Sequence, residues 1–405
     1  MALIGWVTGF WWCEGRWGHG VWLQWIVLPA FVLNADHVWA LWKDWFGILR
    51  EGWRYNLWWF ALFSLLEWQF WVTGFRTRYW WDGAGSGKDF AVLAIVISAF
   101  VLLAQSPKGR ERLWLAVIAV ATLAIAMSVF IFYRQYGISE ERFRLVWRYR
   151  PGFNAVTTGI LVGFALVASW GPWIKEKRIP VGICYLVFAF LGFALAASES
   201  RGALLGVLVA AVTHLGKTFF LERTMAKRKM VTLHATRRLL VSGAGFLVYW
   251  LLALVGSQAS KDDLVTRGSA GRFEIYESYL GELSSLDWIV GKGEVPVLPP
   301  EVLGWLVHHP HSSYCAQLVG YGLIGLVGLL LILAIALWKV RRCAELPLLL
   351  FGLTVCLFDG GQILSLFSIA RWEALVVLVP LIVAYSSSQQ EAVAESVVSP
   401  SSSQP

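Results

Sequence analysis

The sequence predicts an all-α polytopic membrane protein with about 11–12 transmembrane helices. Three observations predict it. Hydrophobic residues make up 58% of the 405 residues and charged ones only 15%, whereas soluble domains are nearer a quarter charged. Apolar runs long enough to cross a bilayer recur along the whole chain. The 25 tryptophans suit interfacial belts, where an apolar ring with one N–H donor sits well.

A spanning helix needs about 20 mostly apolar residues. By that ruler spans lie near 21–42, 55–75, 89–105, 113–133, 154–171, 179–197, 202–220, 239–256, 313–338, 347–366 and 371–386. A further membrane-dipping segment is expected in the first 20 residues. The N-terminus has neither a basic leader nor a small-residue cleavage site, so the first span is expected to act as the insertion signal. Asp36 and His37 interrupt that span, and Glu67 is a deep carboxylate in the next. The Ser-rich tail 387–405 has the composition of disorder, leaving 1–386 as one transmembrane domain. The five cysteines are scattered without a CxxC pair, which argues against a disulfide framework and a cysteine-based zinc site.

Basic residues in short loops orient the bundle. The densest cluster, "LERTMAKRKMVTLHATRR" at 221–238, is expected in the cytoplasm. Alternation puts "SPKGRER", "GPWIKEKR" and "WKVRR" on the same side. Loops near 76–88, 134–153, 198–201, 257–312 and 359–370 then fall outside, on the periplasmic side of the inner membrane if the host is Gram-negative. Roughly 15 of the 34 basic residues lie outside, about 12 of them arginine. Exporting arginine opposes the positive-inside preference, so the outer face is expected to need it. The planar guanidinium binds phosphate bidentately; contact with lipid headgroups is its plainer use.

Four outer segments carry candidate chemistry. In "ASESRGALLG" Arg201 opens a spanning helix, with Ser198 and Ser200 suited to cap it. The free N–H groups there, added to the guanidinium, make an anion site. In "GSAGRFEIYESYLGEL" Phe273, Tyr276, Leu280 and Leu283 recur at helical spacing, predicting an amphipathic helix that Arg272 opens. In "HHPHSSYCAQLVGYGLIGL" Pro310 stops any helix from upstream and Ser312 is a suitable N-cap. His311 therefore stands at the start of a spanning helix. The field there favours a neutral imidazole, able to take a proton from a hydroxyl.

Gly322, Gly325 and Gly328 are expected to line one side of that span for close packing. His308, His309 and His311 stand too close for the i,i+4 spacing of helical zinc ligands, so no metal is expected. The fourth segment, "YRQYGISEERFRLVWRYRPGF", predicts a surface helix whose Arg142 and Arg148 reach lipid or substrate phosphates.

The segments "SESRGALLG", "GRFEIYESYL" and "HPHSSYCAQLVGYGLIGLVGLL", in that order, resemble three landmarks of the O-antigen ligase and polymerase superfamily. "RPGFNAVTTG" resembles a fourth, and Ser312 stands where many members carry asparagine. The landmarks cover less than half the chain. The resemblance implies a C-type glycosyltransferase architecture with a large periplasmic loop at 257–312. It implies transfer of an O-antigen glycan from undecaprenyl pyrophosphate to the lipid A–core oligosaccharide. His311 would be the general base, Arg201 and Arg272 would hold the donor pyrophosphate, and His309 would assist. No cofactor is implied. Membrane lipids are expected partners, nucleic acid is not, and the protein reads as a monomer. An O-antigen polymerase, using the same donor, shares the landmarks. A polysaccharide or lipid transporter is the rival from another class, with Glu67 as its deep carboxylate.

Overall fold

The computed structural model describes residues 1–12, 21–51, 57–77, 85–136, 155–174, 180–221, 225–256, 271–293, 301–302, 305–307, 309–363 and 372–398. Among these the protein is helical, apart from an antiparallel pair of two-residue strands, β1 (Glu301–Val302) and β2 (Trp305–Leu306). Among the described residues four helices are long and apolar enough to cross a membrane, or five if one bent pair counts as a span. Every segment expected to span is helical at least in part.

The first helix, α1 (Ala2–Trp12), buries Trp6, Val7, Phe10 and Trp11 and packs on α6 (Pro107–Tyr136). The span expected at 21–42 is two helices, α2 (Leu23–Val32) and α3 (Ala35–Glu51), bent by 74°. The bend falls just before Asp36 and His37, both exposed, so neither sits inside a continuous apolar cylinder. Next come α4 (Leu57–Thr77), whose Glu67 is exposed, and α5 (Gly85–Ala104).

The centre of the bundle is α7 (Ala155–Ser169), apolar all round and buried almost throughout. Around it stand α6, α8 (Val181–Ser198), α9 (Arg201–Leu221) and α14 (Leu346–Val355). The long α10 (Met225–Gly256) lies against α8. Gly192 faces the backbone of Ser242 and Gly245 faces that of Ala189, so the two helices touch main chain to main chain. Arg238 of α10 donates to the carbonyls of Trp170 (2.8 Å) and Gly171 (3.1 Å), a cation where the carbonyls of α7 end. The outward faces stay apolar: Leu205, Leu208 and Val212 of α9 are exposed.

Between α10 and the next long helix lie two short ones, α11 (Arg272–Gly281) and α12 (Ser285–Val290). Then comes α13 (Ser313–Val340), broken at Gly322, where φ is 66° and ψ is −171°. The three glycines therefore do not share one helical face. Gly322 is the break, lying against the Ile289 backbone, and Gly328 packs on α4, near Leu65. Gln317 before the break donates to the Gly325 carbonyl after it. In a straight helix those residues stand about 12 Å apart along the axis, so the two arms fold toward each other.

The helix expected at 347–366 stops after Val355, because Gly360 and Gly361 follow within a loop. The last one opens as a π turn, Ala374–Leu378, and continues as α15 (Val379–Val398). It thus runs past residue 386, where a disordered tail was expected. Ser387 and Ser388 donate to the carbonyls of Val383 (2.6 Å) and Tyr385 (2.8 Å), so these serines are satisfied within the helix.

Candidate active site

His311 departs from the helix it precedes. Its φ of 48° is left-handed, uncommon for a residue with a β-carbon. Ser312 then returns to extended backbone and its hydroxyl accepts from Cys315 N at 3.4 Å, the cap the sequence predicts. This turn aims the imidazole at the loop after α14. There Asp359, 5% exposed, places Oδ1 3.0 Å from His311 Nδ1. A carboxylate only accepts, so Nδ1 carries a hydrogen, and in the neutral ring the lone pair is then on Nε2.

The loop is held rigidly. Ser313 N donates to Cys356 O at 2.8 Å, and its hydroxyl donates to Asp359 O at 3.3 Å. Gly361 N donates to buried Glu373 at 2.6 Å. Gly360 has a φ of 105°, and a β-carbon there would lie 2.6 Å from Ser313 Oγ and 2.9 Å from Glu373 Oε1. Only glycine fits.

The His309 ring stands edge-on to His311, centroids 4.2 Å apart at 86°. His309, His311 and Asp359 each bring one ligand atom within 4.8 Å of the others, a group able to hold a metal ion. The histidine spacing alone gave no sign of this, because the third donor comes from a distant loop.

Arg272 opens α11 behind Gly271, as expected. One turn on, the Tyr276 hydroxyl donates to the His311 carbonyl at 3.4 Å. Burial pushes that hydroxyl up, with Arg272 pulling it back in part, so it stays a donor at neutral pH. α11 buries Ile275 and Tyr279 against Val319 of α13, with Leu283 just past its end buried in the same cluster and Leu280 partly buried against it, while Phe273 is exposed. Of the expected stripe, Leu280 and Leu283 pack and Phe273 does not. The Tyr279 hydroxyl donates to Val307 O at 2.6 Å, and burial pushes it up to about 12.

A capping box between Ser284 and Asp287 starts α12, and Asp287 pairs with Arg76 at the end of α4. Burial pushes the Asp287 carboxyl up, but Ser284, then Arg76 and Lys292, hold it below the usual carboxylate range. Beyond α12, Lys292 N and Gly293 N donate to Val319 O (3.0 Å) and Gly320 O (2.8 Å) beside the break in α13.

Arg201 opens α9, exposed. Ser198 Oγ donates to Leu195 O at 2.7 Å and accepts from Ser200 N at 3.4 Å, and the buried Ser200 Oγ has no hydrogen-bond partner among the described residues. Glu199, with a φ of 50°, makes the reversal from α8, and Tyr249 donates to its carboxylate at 2.9 Å. Gly202 packs on Phe358, the residue before Asp359; a β-carbon there would lie 3.1 Å from that of Phe358. The starts of α9 and α11 thus both adjoin the structure around the His311–Asp359 pair. Arg142, Arg148 and His308 lie outside the described residues.

Sequence reasoning missed Asp359, Glu373 and the role of Tyr276. The one available signal for Asp359 was a carboxylate followed by two glycines, directly after an apolar run. No protein-family model matches the chain and no curated protein matches it, so a functional reading rests on this geometry and on the resemblance of its segments.

Proposed function

We propose that the protein is an O-antigen ligase, an inverting glycosyltransferase at the periplasmic face of the inner membrane. It would move a glycan from undecaprenyl pyrophosphate to the lipid A–core oligosaccharide. The observation that carries this reading is the His311–Asp359 pair, with an arginine-led helix start approaching it from each of two other segments. His311 Nε2 accepts the proton of an acceptor hydroxyl, whose oxygen attacks the anomeric carbon. The bond from that carbon to the pyrophosphate breaks, and its electrons leave with undecaprenyl pyrophosphate. Arg201 and Arg272 offset the charge that develops there. Attack opposite the leaving group inverts the anomeric centre.

The lipopolysaccharide of a deletion strain tests this. A ligase loss gives bare core with accumulating lipid-linked polymer, restored by the wild-type chain and not by His311→Ala at equal protein level. Core carrying one repeat identifies a polymerase instead, and normal laddering with His311→Ala removes the base.

The bent α2–α3 pair and the break in α13 support a second reading, transport, since transporters place sites at interrupted helices. Purified protein that moves lipid-linked donor across liposomes, yet forms no product with acceptor, selects that reading.

A further inference from the structure

Two histidines separated by a single proline are poor zinc ligands on any regular helix. Here the left-handed turn at His311 brings their rings edge to face, and Asp359 arrives from a loop 48 residues on. The three ligand atoms lie within 4.8 Å of one another, and His311 Nδ1 and Asp359 Oδ1 are 3.0 Å apart. Neighbouring ligand atoms on a tetrahedral zinc stand about 3.3 Å apart. The group therefore closes on an ion by side-chain movements of about 1.5 Å or less.

The surroundings suit such an ion. Asp359 is buried and its loop is pinned through Ser313 and Glu373, while both histidines are partly exposed and leave a way in. Two imidazoles and one carboxylate select zinc over magnesium or calcium, which prefer all-oxygen shells. Three protein ligands leave a fourth position open.

We propose that His309, His311 and Asp359 bind one Zn2+, displacing the proton that His311 shares with Asp359. The ion competes with protons for the imidazoles, so affinity falls as pH drops through the histidine range. A consequence for catalysis rests on the function proposed above: zinc that occupies His311 takes the base out of use and inhibits transfer.

The test uses the full chain in detergent micelles, stripped with a chelator and titrated with ZnCl2 against a fluorescent zinc indicator. Wild type is expected to take up one ion more tightly than His309→Ala or Asp359→Asn, each weaker by about tenfold or more. Millimolar MgCl2 is expected not to displace the ion. Comparison with the variants separates this site from other histidines and from cysteines. Equal zinc affinity in wild type and folded His309→Ala overturns the site, whatever Asp359→Asn does; so does ready displacement by magnesium. A second arm follows glycan transfer with the site filled. Inhibition that a chelator reverses is expected. Unimpaired transfer at full occupancy leaves the zinc site standing and overturns His311 as the base.

Discussion

A histidine that accepts a proton through one ring nitrogen must be held by the other, or its tautomer is left to chance. Asp359 supplies that hold for His311. Asp359→Asn keeps the size of the side chain but its amide can donate to Nδ1, which turns the lone pair the wrong way. The kcat for transfer should fall about 10³–10⁴-fold, the scale seen when a catalytic histidine loses its carboxylate, with KM nearly unchanged. Initial rates against acceptor concentration measure both constants. A raised KM with intact kcat would make Asp359 a binding residue. On the proposed function, Arg201→Gln and Arg272→Gln should instead weaken use of the lipid-linked donor, because each would remove a charge-assisted contact to pyrophosphate. The donor concentration for half-maximal rate reads this; a change confined to the acceptor would reassign both arginines.

Among the elements, the interrupted α13 has the strictest backbone requirement. At Gly322 the backbone is left-handed and packed against Ile289, so alanine meets both strain and a clash. Gly322→Ala should destabilise the protein by about 1–3 kcal/mol or more, read as a lower unfolding midpoint in detergent. Its neighbour α12 carries a pH dependence through Asp287. The folded-state pKa of that carboxyl lies below its unfolded value. Its contribution is therefore complete above about pH 5 and fades as pH falls through the folded value. Hydrogen exchange across 285–293 should quicken in acid, and Asp287→Asn should flatten that response.

Together, α13 and α11 also show what the sequence could reveal. The Ser312 cap and the start of α11 at Arg272 were legible, because capping and helix-breaking residues act on their immediate neighbours. The face that α11 buries was not: Phe273 fits the periodic stripe, but the position of Val319 selects Ile275 and Tyr279 instead. The break at Gly322 was hidden for a related reason. Glycines three apart suit a close-packed helix as well as an interrupted one, and Ile289 and Lys292 on another segment decide between them.

Across the whole molecule, the helical membrane class followed from composition, while the bend between α2 and α3 and the break in α13 did not. Apolar content reports what a segment tolerates around it, and a short helix inside a bundle can be as apolar as one that meets lipid. The short α14 shows where this matters. Ten residues of helix rise at most about 15 Å, against a hydrocarbon core of about 30 Å. The helix starts at Glu345, beside the charged segment "KVRR", and Asp359 follows shortly after its end. If that basic segment marks one membrane surface, α14 ends no farther than about the middle of the hydrocarbon core, and Asp359, four residues on, is well short of the opposite rim. On the proposed function, a sugar phosphate tethered to a long isoprenoid would then react without being drawn out of the leaflet that holds it. The water-loving acceptor would be the partner that has to descend.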